Sequence, residues 1–183
     1  MICLASFFNP FFNFSIMLHQ VALVVGRGFT PTAVAATLGF VGIFAMVGRI
    51  SGGLLSDRIG REWAYSLFMI FATLGVCSLF FLDPERSWVL IIYVVAMGLG
   101  LGVGGAMFPP MIADLFPGPS MGRIMGITSI FAGLGASSGS WFVGYIQDVT
   151  GSYRWSLGCM LLAIGAAVVS VWIAAPRQAR RFS

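Results

Sequence analysis

Lysine is absent from this chain, histidine occurs once, and charged residues make up only 9% of its 183 positions. A soluble domain of ordinary composition carries roughly 25% charged residues, so that class is excluded. The three cysteines, Cys3, Cys77 and Cys159, each stand alone in an apolar run. Without CxxC or metal-ligand spacing they form no disulfide framework, redox motif or metal site, and they read as small apolar packers. A signal peptide is excluded as well: no basic segment leads the first apolar run, which is longer than the usual core of roughly 7–15 residues. The scarcest group is the buried carboxylate. Asp57 and Asp114 fall at the ends of apolar runs, and no Asp or Glu lies deep within one. A proton or sodium site built on a buried carboxylate is therefore not expected, which leaves His19 or a partner segment as the carrier of any coupling.

Apolar sequence fills the space that charge leaves. Hydrophobic residues make up 58% of the chain, and a run of about 20 such residues crosses a bilayer as a helix. Six runs qualify, at about residues 3–25, 32–56, 63–82, 88–113, 121–146 and 155–175. Lipid offers the backbone no partners, so each run must be helical. The expected fold is all-α: a polytopic bundle of six transmembrane helices over residues 1–176, then a short basic tail over 177–183. The first run starts almost inside a span, which leads us to expect further sequence upstream.

All ten basic residues are arginine, and their placement sets the orientation, because cytoplasmic loops carry the excess of positive charge. With residue 1 inside, the inner face receives Arg58, Arg61, Arg123, Arg177, Arg180 and Arg181, and the outer face Arg27, Arg86 and Arg154. Both termini are expected in the cytoplasm of a cell that carries the protein in its plasma or inner membrane. The same loop arginines explain the net charge of +4 without a nucleic-acid partner.

Polar residues inside spans are candidates for function. Ser6, Asn9, Asn13 and Gln20 of the first run fall within an arc of roughly 60° at 100° per residue. Such a stripe lines a cavity or bonds helix to helix. His19 lies about 80° away from Asn9 and is either interfacial or a proton relay. Arg49 sits about 10 Å from the cytoplasmic end of its helix, where a charge needs a partner or water. It is either an anion site, through its bidentate fork, or a structural group that snorkels or pairs with Asp57. The fourth run, "GLGLGVGGAMFPP", is rich in glycine and ends in Pro109-Pro110; it reads as tight packing or as a hinge. The stretch Gly135-Ala136-Ser137-Ser138-Gly139 matches the nucleophile-elbow pattern of hydrolases, but that pattern needs a strand–turn–helix. An intramembrane serine hydrolase is thus a distant alternative, and no enzyme, metal or organic cofactor is expected.

Gly53-x-Leu55-x-Asp57-Arg58-x-Gly60-Arg61 lies between the second and third runs. It resembles the G-x-L-x-D-R-x-G-R-[KR] signature of the major facilitator superfamily, with Glu62 in place of the last basic residue. Asp114 to Gly126 is similar to that family's E-x-F-P loop, keeping Pro117 and Gly126 but placing Pro119 and Met121 where the family has arginines. Gly144 to Leu157 is similar to its outer loop before the last helix. The resemblance covers essentially the whole chain and matches the second half of a twelve-helix transporter. It implies two inverted three-helix repeats, although no sequence repeat stands out. It also implies alternating access, with the first, second, fourth and fifth helices around the cavity. Asp57, Arg58 and Arg61 would brace a cytoplasmic gate, in a loop that also carries Gly53 and Gly60. Arg49-x-Ser51-x-Gly53-Leu54 further resembles the eighth helix of monocarboxylate transporters, whose arginine engages the substrate carboxylate; Ala45 stands where those proteins often carry an acid. The expected function is secondary transport of a small solute, a carboxylate on the finer match, with Arg49, Asn9, Asn13, Gln20 and His19 on the pathway. The partners implied are that solute, the bilayer and a second six-helix half, which is either an N-terminal half or another copy. The alternatives are an inactive truncated fragment and a half-size transporter.

Overall fold

The computed structural model describes residues 1–174; Arg177, Arg180, Arg181 and the expected tail lie outside the described residues. Six long helices follow one another: α1 (Ile2–Val25), α2 (Pro31–Ile59), α3 (Arg61–Phe80), α4 (Ser87–Leu115), α5 (Met121–Thr150) and α6 (Tyr153–Ala174). One short 3-10 turn, Pro84–Arg86, precedes α4. The fold is the all-α bundle that the apolar runs require. Five of the six are long and apolar enough to cross a membrane, α5 being the exception. At 30 residues α5 is long enough; its glycines and serines lower its hydropathy. Large side chains such as Trp141, Trp155 and Leu162 stand exposed on the outside of the bundle, as an apolar surrounding requires.

Local signals set the helix ends. Thr30 caps α2 by accepting from the Ala33 N–H at 3.4 Å, with Pro31 in the first turn. Gly60, at φ 97°, is both the last cap of α2 and the first of α3. That conformation strains any residue with a Cβ, and it lets one residue turn the chain between two spans.

The packing has an internal symmetry. α1 packs chiefly on α5 and α6, and α4 chiefly on α2 and α3, while α3 meets α6 between them. Exchanging α1 with α4, α2 with α5 and α3 with α6 leaves this pattern unchanged. Since α1 and α4 run in opposite senses, the fold is two inverted three-helix repeats. A sequence repeat, invisible in the bare sequence, now emerges. Ala45-x-x-Gly48-x-x-Ser51-Gly52 in α2 and Ala132-x-x-Gly135-x-x-Ser138-Gly139 in α5 hold equivalent places. Gly48 and Gly52 lie against Leu99 and Val103 of α4; Gly135 and Gly139 lie against Phe7 and Phe11 of α1. A Cβ at any of the four would strike the opposing helix, so both close crossings are of the small-xxx-small kind.

Candidate functional site

The amide stripe of α1 is held from behind by two tyrosines. Tyr65 of α3 and Tyr93 of α4 are fully buried, and a buried phenol needs a partner. Asn9 donates from Nδ2 to the Tyr65 hydroxyl at 2.9 Å. The Tyr93 hydroxyl donates to Gln20 Oε1 at 2.8 Å. Asn13 Nδ2 donates to both the side-chain and the main-chain oxygen of Asn9, each at 3.0 Å. Gln20 completes its bonds with a longer donation to the Met17 carbonyl, 3.3 Å. The amides are therefore fixed in orientation before any ligand arrives. Glycine makes the space: a Cβ on Gly104 would meet the Asn9 amide at 2.7 Å.

The rest of the glycine run in α4 is packed on other neighbours. Gly98 faces Val41 and Phe44 of α2, Gly100 faces Ala72 of α3, and Gly102 faces Ala45 and the Arg49 backbone. Tight packing accounts for the run, and α4 stays helical through Pro109 and Pro110 to Leu115.

Asn9, Asn13, Gln20 and Arg49 line one cavity of about 500 Å³ between α1, α2 and α4. Its remaining wall is largely apolar, including Phe14, Leu38 and Leu101. Arg49 keeps its backbone against Gly102 while its side chain is exposed and borders the cavity. Among the described residues it has no hydrogen bond and no ion pair. Asp57, the partner considered for it from the sequence, is taken by Arg61. The cavity thus combines an unpaired guanidinium with oriented amides and apolar walls, the usual makeup of a small-solute site.

The structure does not bring His19 to this cavity. Its Nε2 lies 3.1 Å from the Ser140 carbonyl of α5, and its ring stands 6.1 Å from that of Tyr153. The elbow-like stretch around Ser137 lies inside α5, and the Ser137 hydroxyl donates to the Gly133 carbonyl at 2.9 Å.

At the Gly60 end, Arg61 ties three helices together. Its Nη1 reaches Asp57 at 3.1 Å and the Ser56 hydroxyl at 2.8 Å, both on α2. Its Nε reaches Asp114, near the end of α4, at 2.9 Å. Arg58 is exposed. A Cβ on Gly53 would meet nothing within 4 Å. The carboxylates of Asp57 and Asp114 are 67% and 44% exposed, so each pair contributes modestly, about 0.5–1 kcal/mol at most. Arg61→Ala is expected to lower the melting temperature of the detergent-solubilised chain at low salt. The deficit should shrink at high salt as screening weakens the wild-type pairs; a salt-independent deficit would show that the ion pairs are not its source.

Tyr65, Tyr93 and the pairing of Asp114 with Arg61 are what sequence reasoning missed. A tyrosine within an apolar run reads as bulk, and the Arg61–Asp114 pair joins residues far apart in the chain. Tyr93→Phe should leave Gln20 Oε1 without its buried donor and cost about 1 kcal/mol. Thermal melting checks this, and an unchanged midpoint would mean that another donor replaces the phenol.

Two inverted three-helix repeats are an architecture of secondary transporters. The chain belongs to the Major Facilitator Superfamily, whose family model matches residues 1–183. It is a multi-pass membrane protein. It is 31% identical over 142 residues to the myo-inositol transporter 1A of Cryptococcus neoformans, covering 73% of this chain and 23% of that protein. It is 30% identical over 160 residues to monocarboxylate transporter 13 of Rattus norvegicus, covering 84% of this chain and 36% of that one. The riboflavin transporter RibJ of Trypanosoma cruzi is 31% identical over 150 residues, 78% of this chain and 31% of RibJ. The chain therefore spans about a third of these relatives or less.

Proposed function

We propose that the chain forms one half of a secondary transporter that moves a small carboxylate across the membrane by alternating access. The observation that carries this reading is the guanidinium of Arg49, without a partner among the described residues, beside amides locked by buried tyrosines. A fork of donors in a partly apolar cavity binds a carboxylate through two parallel charge-assisted bonds. The relatives named for inositol and riboflavin transport show that the family takes varied solutes; the arginine favours an anion here, as does the likeness to a monocarboxylate transporter. A second six-helix half, either an N-terminal half or another copy of this chain, would close the open side of the cavity. The share of its relatives that the chain spans supports that partner. In this arrangement Arg61, with Asp57 and Asp114, braces the cytoplasmic gate, and both termini face the cytoplasm.

The test is ligand-dependent stabilisation of the purified chain by a panel of small mono- and dicarboxylates, each paired with its uncharged amide. Carboxylates should raise the melting temperature and amides should not. Equal stabilisation by a polyol such as inositol, with none by carboxylates, would overturn the anionic reading and leave a neutral-solute site. Uptake into proteoliposomes then separates a working half-transporter from a half that needs its partner.

A further inference from the structure

Prolines inside two different helices face the same chamber. Pro10 in α1 has no N–H, so the carbonyl of Ser6 loses its usual donor one turn on. Pro109 and Pro110 in α4 do the same to the carbonyls of Gly105 and Ala106. Residues four apart share a helix face, and Ser6, Pro10, Gly105 and Pro109 all line one chamber of about 180 Å³ between α1, α4 and α5. The freed carbonyls belong to two residues, Ser6 and Gly105, that line the chamber.

Hydroxyls add to these acceptors. Ser6 is 4% exposed, and its Oγ has no hydrogen-bond partner. Thr128 of α5, also 4% exposed, lines the chamber. Its hydroxyl proton goes to the Met125 carbonyl at 3.0 Å, which leaves the oxygen lone pairs free to accept. Buried acceptors without donors cost free energy, and lipid supplies no donor. These few oxygens, set among the apolar side chains of Phe108, Ile112 and Met125, would be satisfied by a cation.

The chemistry narrows the ion. Divalent cations are held by carboxylates, whereas no cluster of three or more His, Cys, Asp or Glu occurs among the described residues. Neutral hydroxyl and carbonyl oxygens suit a hard monovalent ion. We infer that this chamber is a sodium site, with Ser6 Oγ, Thr128 Oγ1 and the main-chain oxygens of Ser6 and Gly105 as ligands and water completing the shell. It shares Asn9, Pro10 and Gly105 with the solute cavity, so ion and solute bear on the same three residues. Its role as coupling ion rests on the transport reading; the binding does not.

Binding of radioactive sodium to the purified full chain, with no solute present, tests the site independently of any carboxylate. Saturable binding that excess sodium displaces and equimolar potassium or choline does not is expected. Ser6→Ala and Thr128→Val should each raise the apparent Kd about tenfold, the scale of one lost polar contact. Pro109→Ala restores an N–H for the Gly105 carbonyl and should weaken sodium binding while leaving the helix intact by circular dichroism. Should Ser6→Ala fail to fold, the Thr128 and Pro109 variants carry the test alone. No saturable binding, displacement by potassium as effective as by sodium, or binding indifferent to the Thr128 and Pro109 changes would overturn the assignment and leave a water-filled chamber.

Discussion

Arg49→Ala is expected to abolish carboxylate binding while the protein still inserts and folds. The guanidinium has no partner among the described residues, so its removal leaves no protein group unpaired and should cost little stability. A carboxylate bound through two charge-assisted bonds would lose about 2–4 kcal/mol, or roughly thirty- to a thousandfold in affinity. Arg49→Lys keeps the charge but not the fork, so it should recover only part of that loss. Titration of the melting temperature with the best carboxylate of the panel measures the affinity, and size-exclusion chromatography checks the fold. Undiminished affinity in the alanine variant would remove Arg49 from the site.

Gly135→Leu should damage the fold more than any single loss at the site. A Cβ at Gly135 points into the Phe7 main chain of α1, and main chain cannot rotate away as a side chain can. Overpacking commonly costs about 1–3 kcal/mol, and a backbone collision belongs at or beyond the upper end. Gly48→Leu, at the equivalent crossing of α2 with Leu99 of α4, should behave alike. Gly133→Leu is the control, since a Cβ there meets nothing within 4 Å. Melting of the three variants in one detergent decides the matter. Comparable midpoints for all three would mean that the α1–α5 and α2–α4 crossings give way readily.

The helices were legible in the sequence because lipid leaves an apolar run no other structure, and each observed helix contains or closely overlaps its run. The α1 stripe was legible for a related reason: amides are rare in spans, and helical geometry places Asn9, Asn13 and Gln20 on one side. Arg49 stood out by its charge alone. What the sequence hid depends on contacts between distant segments. Tyr65 and Tyr93 orient the stripe from two other helices, and nothing in their neighbourhoods marks them. Asp114 meets Arg61 only because α4 ends beside the start of α3. The α2–α5 repeat keeps four identities, Ala, Gly, Ser and Gly, that acquire meaning only when both segments are seen to press on a main chain. The neighbours of His19 were hidden in the same way: its ring lies against Ser140 of α5 and Tyr153 of α6.

The two glycine crossings also divide the bundle mechanically. Each brings its pair of helices backbone to backbone, α1 on α5 and α2 on α4. By contrast α1 meets α2 only lightly, as α4 meets α5. The molecule is therefore a book of two stiff covers, with its spine along the seam where Trp172 of α6 donates to Ser66 of α3 at 2.8 Å. The cavity bordered by Asn9, Asn13, Gln20 and Arg49 lies in the gutter between the covers. Asn9–Tyr65 and Gln20–Tyr93 are stitches across it, and parting the covers there would stretch both bonds.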